Sequence, residues 1–268
     1  MKFFIVFFCF ISSISSCWAL RIVSLAPSIT DQIILLQSGN EIVGYTNFCK
    51  IPKTSKAVEV ASAVSVNVER VFALKPDIVF VSTLTSQQTI QKLKKLRITV
   101  SYFPLATSYD QICSQFIELG KQIGKLPLAN EIVKKSKARL STIKSKIPVN
   151  KKKLDMFVQI GVNPIWTAIP NTFVNDYILF SGGRNIAENL DNGAVSREAV
   201  LAWNPDYIFV VTMGVVGTDE VNVWKSFKTL NASKNNSIYI LNPEKVCSPT
   251  PVTFVDVVEE IVAICYKQ

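Results

Sequence analysis

The chain writes one sixteen-residue passage twice. Val66, Glu69, Val71, Ala73, Pro76, Asp77, Phe80 and Val81 recur as Val195, Glu198, Val200, Ala202, Pro205, Asp206, Phe209 and Val210, eight identities at one constant offset (195 − 66 = 129). Each copy encodes the same unit: a short amphipathic helix, a Pro-Asp turn that a helix cannot pass, and an apolar run of strand length. Self-similarity at a single long offset predicts two similar halves. The space between two such halves is the natural place for a ligand.

Composition narrows what the halves can do. Residues 1–19 read as an export signal, with Lys2 as its positive start and Phe3 to Ile11 as an apolar run too short to cross a bilayer. Processing has two readings. Cleavage after Ala19 suits the small residues of Cys17-Trp18-Ala19, whereas Ile14-Ser15-Ser16-Cys17 resembles a lipobox that would anchor Cys17 to lipid. Simple cleavage is favoured, because a lipid on Cys17 leaves almost no tether before the strand at Arg21. The remainder is 249 residues (268 − 19), enough for one large unit or two lobes, and no later segment resembles a membrane span. The net charge of +9 is spread out, with local runs at Lys92 to Arg97, Lys134 to Lys146 and Lys151 to Lys153. These lack interleaved aromatics and read as solvated helix faces and a connector, so no nucleic-acid partner is expected.

Cys49, Cys113, Cys247 and Cys265 survive cleavage without CxxC spacing, which leaves zinc and redox motifs unsupported. An oxidising compartment permits one or two disulfides, with the pairing open. The chain has no histidine, which removes Ser-His-Asp and Cys-His arrangements, an imidazole base, and histidine-bound zinc. No catalytic residue and no metal site are assigned. A secreted enzyme is the competing class, with Ser28, Asp31 or Glu244 as its candidate groups. Against it, Ser28 reads as a helix-starting polar residue, Asp31 as a first-turn acid and Glu244 as a loop charge, and no base is visible to activate Ser28. A third class is an interaction protein that kept the fold and lost its ligand.

Strand-length apolar runs alternate with helical segments in both halves. Strands are predicted at 21–25, 41–45, 77–82 and 98–103, then at 154–160, 207–212 and 237–241. Helices are predicted at 29–37, around Glu69, at 89–96 and 108–123, then at 172–180, around Glu198, at 221–230 and from Phe254 onward. Residues 46–56, 161–171 and 242–251 read as loops. Pro127 suits the first turn of a helix reaching Lys146, about 28 Å long at 1.5 Å per residue, and Pro148 ends it. The expected class is α/β: two similar lobes, each a mainly parallel sheet flanked by helices, joined by one long connecting helix. The expected division is signal 1–19, N-terminal lobe 20–126, connecting helix 127–148 and C-terminal lobe 149–268.

Three stretches carry a family resemblance: Arg21-Ile-Val-Ser-Leu-Ala-Pro-Ser28; Asn67-Val-Glu69 through Pro76-Asp77; and Phe157-Val-Gln-Ile-Gly-Val-Asn163-Pro164 through Gly182-Gly183 to Val195-Ser-Arg-Glu198. With them the chain resembles the substrate-binding proteins of bacterial ABC importers that have a rigid helical connector and serve cobalamin, ferric siderophores and haem. The resemblance implies a monomeric, non-catalytic periplasmic protein that captures a metal chelate, with a cobalamin or other corrinoid favoured, and passes it to a permease dimer. It implies that Glu69 and Glu198, one per lobe, dock onto permease arginines. A first-turn acid behind the caps Asn67 and Ser196 is also favourable for the helix alone. The cleft is expected to draw on Ser28, Tyr45, Phe48, Lys50 and Ser82 from the first lobe and Trp166, Met213 and Lys245 from the second. Phe48 and Trp166 align with cleft aromatics; Lys50 and Lys245 suit a siderophore; Tyr45 or Met213 would ligate haem. Ala63, Ser82 and Asn192 replace three tryptophans of the cobalamin branch, the Asp and Arg expected around 244–248 are absent, and Ser181 stands at a cysteine position of that branch.

Overall fold

A computed structural model describes residues 20–52, 55–62, 65–148, 152–162, 164–212 and 217–266. The export signal with Cys17, and the positions of Ala63 and Met213, lie outside the described residues.

The first half forms a five-stranded sheet in the order β3-β2-β1-β4-β5, with every neighbouring pair parallel: β1 (Ile22–Ser24), β2 (Ile42–Thr46), β3 (Val58–Ala61), β4 (Ile78–Ser82) and β5 (Val100–Phe103). Parallel neighbours require crossovers: α1 (Pro27–Leu35) joins β1 to β2, α2 (Val68–Ala73) joins β3 to β4 and α3 (Gln87–Lys95) joins β4 to β5, while β2 passes to β3 without a helix among the described residues, and α4 (Tyr109–Gln122) follows. Strand β3 sits just beyond the 46–56 loop and lies at the sheet edge with Val58 and Glu59 exposed, so no apolar run announced it. Helix α5 (Leu126–Lys144) carries Pro127 in its first turn, ends two residues before the expected Lys146, and packs against α4.

The second half gives a six-stranded sheet, five strands in the order β11-β10-β6-β7-β9 with β8 as a spur on β6: β6 (Asp155–Ile160), β7 (Ile165–Thr167), β8 (Arg184–Asn185), β9 (Ala194–Val195), β10 (Tyr207–Val211) and β11 (Ile238–Ile240). Strands β11, β10 and β6 run parallel, and β8 pairs parallel with the start of β6 as β2 does with β1. The far end of β6 instead takes the antiparallel β7, and β9 pairs antiparallel with β7. This corrects the 161–171 loop. Ile165 and Thr167 turn inward while Trp166 turns out, a strand alternation too short to register in sequence. Gly161, at φ +75°, makes the turn in a region that favours glycine.

The helices here are α6 (Phe173–Phe180), α7 (Arg197–Trp203), α8 (Gly217–Ser226), α9 (Asn231–Lys234), α10 (Pro243–Cys247) and α11 (Pro251–Cys265). The 242–251 loop thus contains a short helix, started by Asn242, whose side chain accepts from the amides of Glu244 and Lys245. Helix α11 starts at Pro251 behind a Thr250–Thr253 capping box, three residues before the expected Phe254.

One apolar cluster joins the lobes. It runs from Ile22 and Phe80 through α4 and α5 to Met156, Phe209 and α11. At its centre Phe254 stacks between Tyr109 and Tyr177, with centroids 4.5 and 4.4 Å away. A buried ring of this size contributes roughly 1.5–3 kcal/mol. Arg139 of α5 pairs with Asp256 and Glu259 of α11, and the Tyr109 amide donates to Asp176 Oδ2 at 2.8 Å.

Candidate functional site

The duplicated passage folds identically in both lobes. Asn67 and Ser196 cap α2 and α7, accepting from the amides of Arg70 and Ala199. Each helix ends in a left-handed residue, Lys75 at φ 45° and Asn204 at φ 53°. The Asp of each Pro-Asp turn then bonds the opening strand: Asp77 Oδ2 accepts from the Arg21 amide at 2.7 Å, and Asp206 Oδ2 from the Asp155 amide at 2.9 Å. These caps hold Glu69 and Glu198 exposed in the first turns of their helices. Hydrogen bonds from its own amide and from Ser196 hold the Glu198 carboxyl below its ordinary pKa. Glu69 stands in a groove of about 610 Å³ between α2 and α3, lined also by Lys92, Lys95 and Leu96.

The carboxyl ends of the parallel strands carry most of the other candidates. Lys50, on the loop after β2, reaches Glu244 of α10 at 2.5 Å, so that loop and the second lobe face each other across the gap. Phe48 is 60 % exposed beside it. Tyr45 is half-buried within β2, and Ser82 closes β4 with its hydroxyl accepting from the Leu84 amide. Trp166 is 45 % exposed on β7, opposite Ala194 of β9. Gly193 lets β9 approach β7, because a Cβ there would sit 2.8 Å from the Thr167 carbonyl and 3.2 Å from the Trp166 ring.

Two expectations need correction. Ser28 is not the helix start: Ala26 is the N-cap and Pro27 the first residue, leaving Ser28 half-buried in the first turn. Asp31 lies beyond the first turn. Burial raises its pKa to about 6, Lys50 draws it down, and Glu244 pushes it up, which places it electrostatically with the cross-lobe pair. Nothing in the spacing of α1 signalled this. Lys245 Nζ lies 3.5 Å from Asp256, the partner of Arg139. Leu105, 68 % exposed after β5, joins the same rim because its amide donates to Thr83 Oγ1 at 2.9 Å, a contact no local pattern reveals. All four cysteines are free thiols. Burial raises the pKa of Cys113 to about 11 and that of Cys265 to about 12.

Residues 22–245 match the family model described as periplasmic binding protein, and the chain belongs to that family. It is 31 % identical over 253 residues to the uncharacterised ABC transporter substrate-binding lipoprotein YvrC of Bacillus subtilis (strain 168), covering 92 % of this chain and 80 % of the relative. It is 29 % identical over 194 residues to the vitamin B12-binding protein of Yersinia pestis (strain Pestoides F), covering 71 % and 69 %. Among solved structures, a possible iron-binding (periplasmic solute-binding) protein of Staphylococcus epidermidis ATCC 12228 superposes with TM-score 0.78 at 27 % identity, over 92 % of this chain and 98 % of the other. The chain is therefore a substrate-binding component of the ABC-transporter type, and its relatives are binding proteins, not enzymes. Among the described residues, no helix is long and apolar enough to cross a membrane.

Proposed function

We propose that this chain is exported to the periplasm, by cleavage after Ala19 or with a lipid on Cys17, and captures a metal chelate between its lobes for delivery to a permease. A corrinoid is the favoured ligand. The observation that carries this reading is the Lys50–Glu244 contact, which brings the first-lobe loop bearing the exposed Phe48 against the second lobe. Trp166 stands exposed at the carboxyl end of β6, on the corresponding edge of its sheet. Open aromatic surface of this kind suits a large, flat, partly apolar ligand whose orientation a few polar groups fix. Glu69 and Glu198, fixed by matching caps on equivalent helices, suit two equivalent cations of a two-fold permease.

The test is titration of the mature protein with cyanocobalamin, cobinamide, haem and a panel of ferric siderophores, followed by tryptophan fluorescence and calorimetry. One-to-one corrinoid binding that weakens at least tenfold in Trp166→Ala supports the reading. Binding of haem or a siderophore alone keeps the transport role and replaces the ligand. Silence across the panel overturns chelate capture.

A further inference from the structure

The first-lobe groove holds more than a glutamate. Phe72 follows Glu69 by one helical turn on α2 and is 53 % exposed, an unusual position for a large ring. A second concavity of about 320 Å³, lined by Phe72, Lys75, Pro76, Leu96, Arg97 and Ile98, adjoins the Glu69 groove, and Leu96 lines both. Glu69, Lys75, Lys92, Lys95 and Arg97 form no ion pair among the described residues. The surface therefore presents an acid, an uncovered aromatic and several uncommitted cations within one continuous hollow. The second lobe does not repeat it. Leu201 takes the position of Phe72 and packs half-buried against its own core, and Arg197 beside Glu198 turns inward to Glu220.

We propose that the first lobe carries a compound docking epitope for the importer's permease: Phe72 seats in an apolar pocket, Glu69 meets a cation, and Lys92 with Lys95 meets a carboxylate of the same permease surface. This rests on the reading of Glu69 as a docking residue. Charge complementarity names the occupant, since a hollow holding both signs around an aromatic fits a protein surface carrying the reverse pattern. A uniformly anionic lipid face would meet Glu69 unfavourably. The two lobes then contribute unequally, with a buried anchor on the first and a bare carboxylate on the second.

The experiment measures binding of the mature chain to its permease–ATPase complex in nanodiscs by interferometry, at low and high salt. The variants are Glu69→Gln, Glu198→Gln, Phe72→Ser, Phe72→Leu and the double variant Lys92→Glu/Lys95→Glu. Expected are losses of tenfold or more for Phe72→Ser and for the lysine double variant, a smaller loss for Phe72→Leu, and a flatter salt dependence for the double variant. Thermal melts equal to the parent exclude misfolding, since all these side chains are exposed. Parent-like binding by Phe72→Ser and the double variant, with loss only in the glutamate variants, overturns the compound epitope and leaves glutamate docking intact. Failure of the parent to bind overturns the docking reading itself. Binding to phosphatidylglycerol vesicles without permease, lost in the lysine double variant, overturns it in favour of lipid.

Discussion

Where the first lobe places Leu25 and Val68, the second places Gln159 and Arg197. Val68 and Arg197 share a position in the repeat, and Leu25 and Gln159 each lie four residues after the residue whose amide binds the Pro-Asp carboxylate. Leu25 and Val68 sit in a wholly apolar cluster with Val71, Val81 and Ile90. Their counterparts build a polar network instead. Arg197 Nη2 lies 3.0 Å from Glu220 Oε2, Gln159 Nε2 donates to Glu220 at 2.8 Å and to the Gly161 carbonyl at 2.9 Å, and Trp224 Nε1 donates to Gln159 Oε1 at 2.6 Å. The Arg197 guanidinium stacks 4.5 Å over Trp224, while its Nη1 has no hydrogen-bond partner among the described residues. At these positions one backbone plan thus carries apolar side chains in one lobe and, beside an apolar cluster of its own, a half-buried ion pair in the other. The shared part, caps and Pro-Asp turns, sets geometry; the interior beneath it is free to change chemistry.

The largest loss is expected from removing Glu220. It is 4 % exposed, and its loss strands Arg197 as an uncompensated charge, so Glu220→Ala is expected to lower stability by about 3–4 kcal/mol in urea unfolding. Converting the second lobe to the apolar chemistry of the first, with Gln159→Leu, Arg197→Val and Glu220→Leu together, is expected to stay within about 1.5 kcal/mol of the parent, because replacing a whole buried pair is often nearly neutral. A single variant that loses under 1 kcal/mol would show that the network leaves the lobe's stability to its apolar neighbours.

The same contrast explains what was legible in the sequence. The repeat, the βαβ alternation and Pro127 sufficed for the α/β class, both lobes and α5, because those features are local and periodic. Strands β3, β7 and β9 escaped because two to four residues show no reliable period. The Arg197–Glu220 pair escaped because its members are 23 residues apart and nothing in the repeat asks for an arginine where the first copy has valine. Asp31 was misread for the same reason: its meaning comes from a loop and a helix that only folding brings near.

Two half-buried acids differ in the same way: burial raises the pKa of both Asp31 of α1 and Asp176 of α6, but at Asp176 the Tyr109 amide opposes the rise. For Asp31 the folded pKa of about 6 exceeds the ordinary 3.8. The folded state therefore binds more protons between those values, and stability is expected to fall as pH rises from 4 to 6 and to remain lower above it. After allowance for the solvent that still reaches the carboxyl, the effect is about 1 kcal/mol. Asp31→Asn should flatten that slope and raise stability at pH 7.5 by a similar amount, read by melts across pH. An unchanged slope would mean that Asp31 is ionised freely and stands away from Lys50 and Glu244.

The smallest effect belongs to the pair that bridges the lobes. Lys50 and Glu244 are both largely exposed, and water screens such pairs, so a double-mutant cycle with Lys50→Ala and Glu244→Ala should give a coupling below about 0.5 kcal/mol that vanishes in high salt. The buried Arg197–Glu220 pair should keep most of its coupling under the same salt. That difference follows from where each pair lies: one holds a lobe together, and the other spans a gap that a ligand must enter. A weak, screened contact opens readily and leaves closure to the ligand's own differential contacts. A cross-lobe coupling above 1 kcal/mol would reverse this, making the pair a latch that holds the lobes shut without ligand.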